Sequence, residues 1–106
     1  MVEKTKLVQA KLDVISRGSV LSVPGEFPYE EFVDFMLFET QDDDAPYGLM
    51  VISGYKAGLV LVRLPKESVS AAGGVDKVWF LANWNKWVYP NCDVDDVYFL
   101  ETRSAS

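Results

Sequence analysis

Apolar and polar positions alternate in short runs separated by glycine, proline and acidic turns, which predicts a chain built mostly of strands. Val20-Leu21-Ser22-Val23 is a short strand, entered after Arg17-Gly18-Ser19 and stopped by Pro24-Gly25. Pro28 keeps Phe27 extended and prevents a helix there. From Val33 to Glu39 the period is two: Val33, Phe35 and Leu37 point one way, Asp34, Met36 and Phe38 the other. A polar, acidic loop from Gln41 to Pro46 follows. Two apolar runs, Gly48 to Ser53 and Gly58 to Leu64, flank Gly54-Tyr55-Lys56-Ala57, the spacing of a β-hairpin. Both runs are apolar on both faces, so cover is expected from two sides. Val97 to Glu101 reads as a last strand. The opening stretch, Thr5 to Ile15, mixes apolar and charged positions and reads as a strand or a short helix.

The period changes to helical only between Val75 and Trp87, after Ala71-Ala72-Gly73-Gly74 and before Pro90. There Phe80, Leu81, Trp84, Trp87 and Val88 fall within an arc of about 120° and form a stripe to be buried against the sheet. The fold class predicted is therefore α+β: a curved antiparallel sheet of about five strands, open or barrel-like, with one main helix at about 75–88. At 106 residues the chain has room for one domain, 1–106, ending in a frayed tail at 103–106.

Charge changes this picture because it is blocked. The net charge of −6 hides a segment, 18–55, with no Lys or Arg and eight acids: Glu26, Glu30, Glu31, Asp34, Glu39, Asp42, Asp43 and Asp44. The flanking stretches 1–17 and 56–88 are net basic, and 89–106 is acidic again through Asp93, Asp95 and Asp96. Such a field repels nucleic acid and favours basic partners, although solubility alone also accounts for an acidic surface. No apolar run has the ~18–20 residues of a membrane-spanning helix, and the start of the chain lacks a secretory signal's apolar core. A lone cysteine, Cys92, fits a reducing compartment, and the expected location is cytoplasmic.

The chemistry available is sparse. With no histidine, the commonest general base, the commonest metal ligand and every Ser-His or Cys-His pair are missing. Asp42-Asp43-Asp44 sits in an exposed loop, where carboxylates stay solvated and ordinary. Asp93, Asp95 and Asp96 lack the central glycine and twelve-residue span of a calcium loop. Gly54 and Gly58 do not form a phosphate loop, because apolar strand residues follow instead of Gly-Lys-Ser/Thr. No catalytic residue, cofactor or metal site is predicted. Among the aromatic residues, Trp84 and Trp87 are assigned to the core from their place on the stripe. Trp79 lies off it and is either packed on another element or a contact residue for a partner.

Several strings carry a resemblance: Pro28-Tyr29-Glu30 with Val33-Asp34 and Phe38-Glu39, then Ser53-Gly54-Tyr55-Lys56-Ala57-Gly58 and Leu64-Pro65. Trp79, Asn83-Trp84, Trp87-Val88-Tyr89-Pro90, Cys92 and Asp96-Val97 complete the series. In this order, from about Gly18 to Leu100, the chain resembles the bacterial immunity proteins of polymorphic toxin systems numbered forty-five in the Imm series. The resemblance implies a non-catalytic protein that binds and blocks a cognate toxin. The charge adds the expectation of a basic toxin, such as a nuclease, met by Glu30, Glu31, Asp34, Asp42, Asp43 and Asp44. Asp93, Asp95 and Asp96 form a second patch, and Trp79 is an anchor candidate. The other class the residues allow is a small ligand-binding or adaptor domain, its pocket lined by Tyr55 and Trp84.

Overall fold

The computed structural model of the protein describes residues 4–25, 32–54, 56–89 and 92–100. Eight strands run through them: β1 (Lys4–Lys6), β2 (Val14–Ile15), β3 (Val20–Pro24), β4 (Phe32–Glu39), β5 (Tyr47–Val51), β6 (Val60–Leu64), β7 (Val75–Asp76) and β8 (Tyr98–Leu100). Six form one antiparallel sheet in the order β1-β8-β3-β4-β5-β6, and β2 pairs with β7 in a separate two-stranded sheet. The α+β class and the antiparallel sheet are as the sequence predicts. The sheet is open, with β1 and β6 as its edges.

The register sorts side chains between two faces. Leu21 and Val23 of β3, Phe35 and Leu37 of β4, Leu49 and Val51 of β5 and Leu64 of β6 are buried on the inner face, as the period of two requires. Leu7, Ile15, Val75, Phe80, Trp84, Val88 and Val97, from elements outside the six strands, complete one core on that face. The β5–β6 hairpin is present, with an irregularity in its register between Leu49 and Met50. The expectation of cover on both sides of both runs fails for β6. As an edge strand it leaves Val60 48% exposed, with Leu59 beside it also exposed.

The helix is shorter than its stripe. Asp76 caps it, its carboxylate accepting from the Val78 N–H, and α1 spans only Lys77–Ala82. Asn83 ends it: its backbone N–H makes the last i→i−4 bond to the Trp79 carbonyl, which its Nδ2 also joins as a second donor, and its own backbone (φ −109°, ψ 9°) leaves the helical region. A wider π turn, Trp84–Val88, follows, closed by Tyr89 N–H donating to the Trp84 carbonyl five residues back. The widened turn brings Phe80, Trp84 and Val88 to the core and turns Trp87 out, 42% exposed. The core assignment of Trp87 is therefore corrected, because the wheel assumed an uninterrupted α-helix.

A buried hydrogen bond ties the small sheet to the large one. Gly74 N–H donates to Tyr47 Oη across 2.9 Å. Gly74 has φ +77°, and a Cβ there would come within 2.5 Å of Val14 and 2.8 Å of the Ile15 carbonyl. Gly74→Ala should therefore cost about 2 kcal/mol or more, through strained backbone and collision together. Tyr47→Phe should cost about 1–3 kcal/mol by leaving that N–H without an acceptor. Chemical denaturation of both variants checks this pair, and an unchanged midpoint for Gly74→Ala would refute the tight approach.

Candidate partner-binding surface

The acidic residues that the sequence groups together are separated by the fold. The β4–β5 loop leaves one end of the sheet, where Glu39 faces Tyr47 and Tyr47 faces Leu64. Asp93, Asp95 and Asp96 precede β8 at the other end, where Tyr98 faces Ser22 and Ser22 faces Asp34. Asp34 is five residues along β4 from Glu39, a separation of about 17 Å at ordinary strand rise. It thus lies on the side of the second patch, away from Asp42, Asp43 and Asp44. Glu30 and Glu31 lie outside the described residues.

Bases from outside the acidic segment also fold onto it. Arg17 pairs with Glu39 at 3.2 Å, and Arg63 approaches Asp42 at 4.0 Å. Both pairs are exposed and worth little in stability, but they offset charge where the sequence shows none opposing it. Asp42 has a local task as well. Its Oδ1 accepts from the Asp44 N–H at 2.9 Å, and Thr40 Oγ1 accepts from the Asp42 N–H and donates to the Ala45 carbonyl. The loop is thereby held by its own side chains. Asp43 and Asp44 remain exposed with no ion pair among the described residues, as do Asp93, Asp95 and Asp96.

Of the two places expected for Trp79, the structure shows the packed one. Its ring is partly buried against the core and lies 6.2 Å from that of Trp87. With the strongly exposed Val78 this makes an aromatic patch on α1 and the π turn, found only because the helix widens. Trp84, by contrast, is 1% exposed. It packs against Phe80 and Tyr89, and its indole N–H donates to the Cys92 carbonyl at 3.0 Å. It has no free surface for an open pocket, and Tyr55 lies outside the described residues, so the aromatic-lined pocket loses its support.

Burial pushes the Cys92 thiol above its ordinary range; the Trp84 side chain opposes this and the carboxylates of Asp96 and Asp93 add to it. The thiol keeps its proton at neutral pH, which makes it a poor nucleophile. Among the described residues no group of His, Cys, Asp or Glu is placed to hold a metal, and no helix is long and apolar enough to cross a membrane.

The outer face of the sheet is a feature that the sequence reading did not single out. Leu100, Val20, Met36, Met50 and Val60 stand in register, one from each of β8, β3, β4, β5 and β6. The next row contains Lys6, Tyr98, Ser22 and Asp34. Its signal lay in the Asp34, Met36, Phe38 alternation, which puts two large apolar side chains on the face opposite the core.

The thiol's shift has a sign that can be checked. The folded state favours the protonated form, so its contribution is intact below the unfolded thiol's ordinary pKa and is lost as pH rises through the folded one. Alkylation of Cys92 by iodoacetamide should accelerate only at a higher pH than in the urea-unfolded chain, and coincident profiles would refute the shift.

No curated protein and no solved structure matches this chain. One family does, over residues 7–99, and it is described as Immunity protein 45. The match takes in the inner core from Leu7 to Phe99, every described acidic patch and the Trp79–Trp87 pair. The chain belongs to the Immunity protein 45 family.

Proposed function

We infer that this protein binds a cognate bacterial toxin in the cytoplasm and neutralises it by occupying its surface, without catalysis of its own. Membership of the immunity family carries this reading. The residues support it in chemistry: the chain has no histidine, its single thiol is held protonated, and its carboxylates at the two ends of the sheet are exposed. A protein so equipped acts through complementary surface.

The net charge of −6 favours a basic partner, of which a nuclease with a phosphate-binding surface is the natural example. Exposed acids at both ends of the sheet, Asp43 and Asp44 at one and Asp93, Asp95 and Asp96 at the other, raise the rate of encounter with such a partner. Trp79 and Trp87 offer a separate aromatic contact.

The test is rescue. Co-expression of this chain with the toxin domain encoded by the adjacent gene should restore growth, and continued killing with both proteins folded and expressed would refute the reading. The electrostatic part has its own measurement. The double substitution Asp43→Asn and Asp44→Asn should lower the association rate about three- to tenfold at low ionic strength and flatten its salt dependence. Asp42 is left in place because its side chain holds the loop. An association rate that does not respond to salt would overturn the steering role.

A further inference from the structure

We propose that the outer face of the six-stranded sheet is the surface on which the toxin docks, through an apolar segment that carries a lysine or arginine to Asp34. This rests on the toxin-binding reading and says where, and with what chemistry, the partner is held. The band Leu100–Val20–Met36–Met50–Val60 crosses five adjacent strands at one level, a length of about 20 Å at ordinary strand spacing. Met36, Met50, Leu100 and Val60 lie outside the hydrophobic core and keep exposed surface, while Val20 between them is buried. The elements outside the sheet send their buried apolar side chains to the opposite face, so among the described residues no such side chain comes from them to the band. Phe38 widens the face at its far end by lying across Gly48, where a Cβ would come within 2.7 Å of its ring. Two methionines at the centre of an otherwise branched and aromatic surface suit a contact that must fit an irregular partner.

The polar groups beside the band choose the partner. Asp34 lies one row from Met36, partly exposed, and its carboxylate makes no ion pair or hydrogen bond among the described residues. Its cross-strand neighbour Ser22 is 0% exposed, and the Ser22 hydroxyl has no hydrogen-bond partner among the described residues. A buried hydroxyl without a partner costs stability unless something supplies one. The nearby bases do not answer Asp34: Arg63 is turned to Asp42, and Lys6 sits three strands away on β1. At the same end, Phe32 and Tyr98 meet edge to face with centroids 6.5 Å apart, giving ring surface beside the carboxylate. A cationic side chain carried on an apolar segment answers the carboxylate and the rings together, while the fully buried Ser22 hydroxyl stays out of its reach. A second copy does not, because a face-to-face pair would bring two unpaired Asp34 carboxylates onto one interface.

The experiment uses the full chain and the toxin domain encoded by the adjacent gene. In the free protein, peroxide should oxidise Met36 and Met50, and in the complex both should be protected; equal oxidation with the toxin bound overturns the proposal. This readout needs no variant. Met50→Glu should speed dissociation about thirtyfold, and Asp34→Asn about tenfold, with unchanged circular dichroism. Trp87→Ala, on the opposite side, should change dissociation less than about threefold. Rescue that survives Met50→Glu and Asp34→Asn but is lost with Trp87→Ala transfers the docking to the aromatic patch and overturns the proposal. A concentration-dependent dimer dissolved by Met50→Glu assigns the face to a second copy, which also overturns it. A wild-type chain that neither binds nor neutralises the domain refutes the toxin-binding reading itself, and the assignment of this partner falls with it.

Discussion

The buried indole of Trp84 holds the two layers of this protein together. Its ring meets Phe80 at 5.5 Å and Tyr89 at 6.4 Å, and Tyr89 in turn meets Phe35 of the sheet at 5.5 Å. Its N–H donates to the Cys92 carbonyl, so the chain beyond the π turn is tied back to the helix that precedes it. A tryptophan can be buried fully only when its one donor is satisfied, and here the acceptor is the backbone on the approach to β8. One side chain thus anchors the helix, orients the π turn and leads the chain back to the centre of the sheet. Burial of the Cys92 thiol raises its pKa, and the Trp84 side chain works against that rise.

Among the described residues the added cover falls on one side, which makes the sheet asymmetric. The inner face is closed by the short helix, the π turn and the two-stranded sheet, while among the described residues the outer face ends in its own side chains. The central strand β3 is buried on both sides nonetheless, from Val20 through Val23. The Ser22 hydroxyl is left unpartnered there. On the proposed toxin-binding reading, this outer face and the Asp34 carboxylate beside it supply the affinity, and the exposed acids at the ends govern approach.

The charge block illustrates how folding revises a linear pattern. Eight acids with no intervening base suggest one continuous negative surface. In the fold, β4 carries Asp34 and the Asp42–Asp44 loop to opposite ends, and Arg17 and Arg63 come from outside the segment to the loop end. A strand spreads sequence neighbours over its whole length, so a cluster in sequence becomes a cluster in space only within a turn. Asp42 was legible as acidic but not as the residue that holds its own loop, because that depends on the turn its carboxylate caps.

By itself the sequence determined the class of the fold, the β5–β6 hairpin, the alternation that buries Phe35 and Leu37, the absence of histidine chemistry and the family. These follow from local periodicity, turn residues and composition, which are carried by neighbours along the chain. Tertiary structure alone decided that β6 is an edge, that Trp87 faces solvent beside Trp79, and that Leu100, Val20, Met36, Met50 and Val60 share one level. Each depends on which strands are adjacent, or on the α-helix giving way to a wider turn after Asn83. Contacts between residues tens of positions apart are set by packing, and no local pattern encodes them.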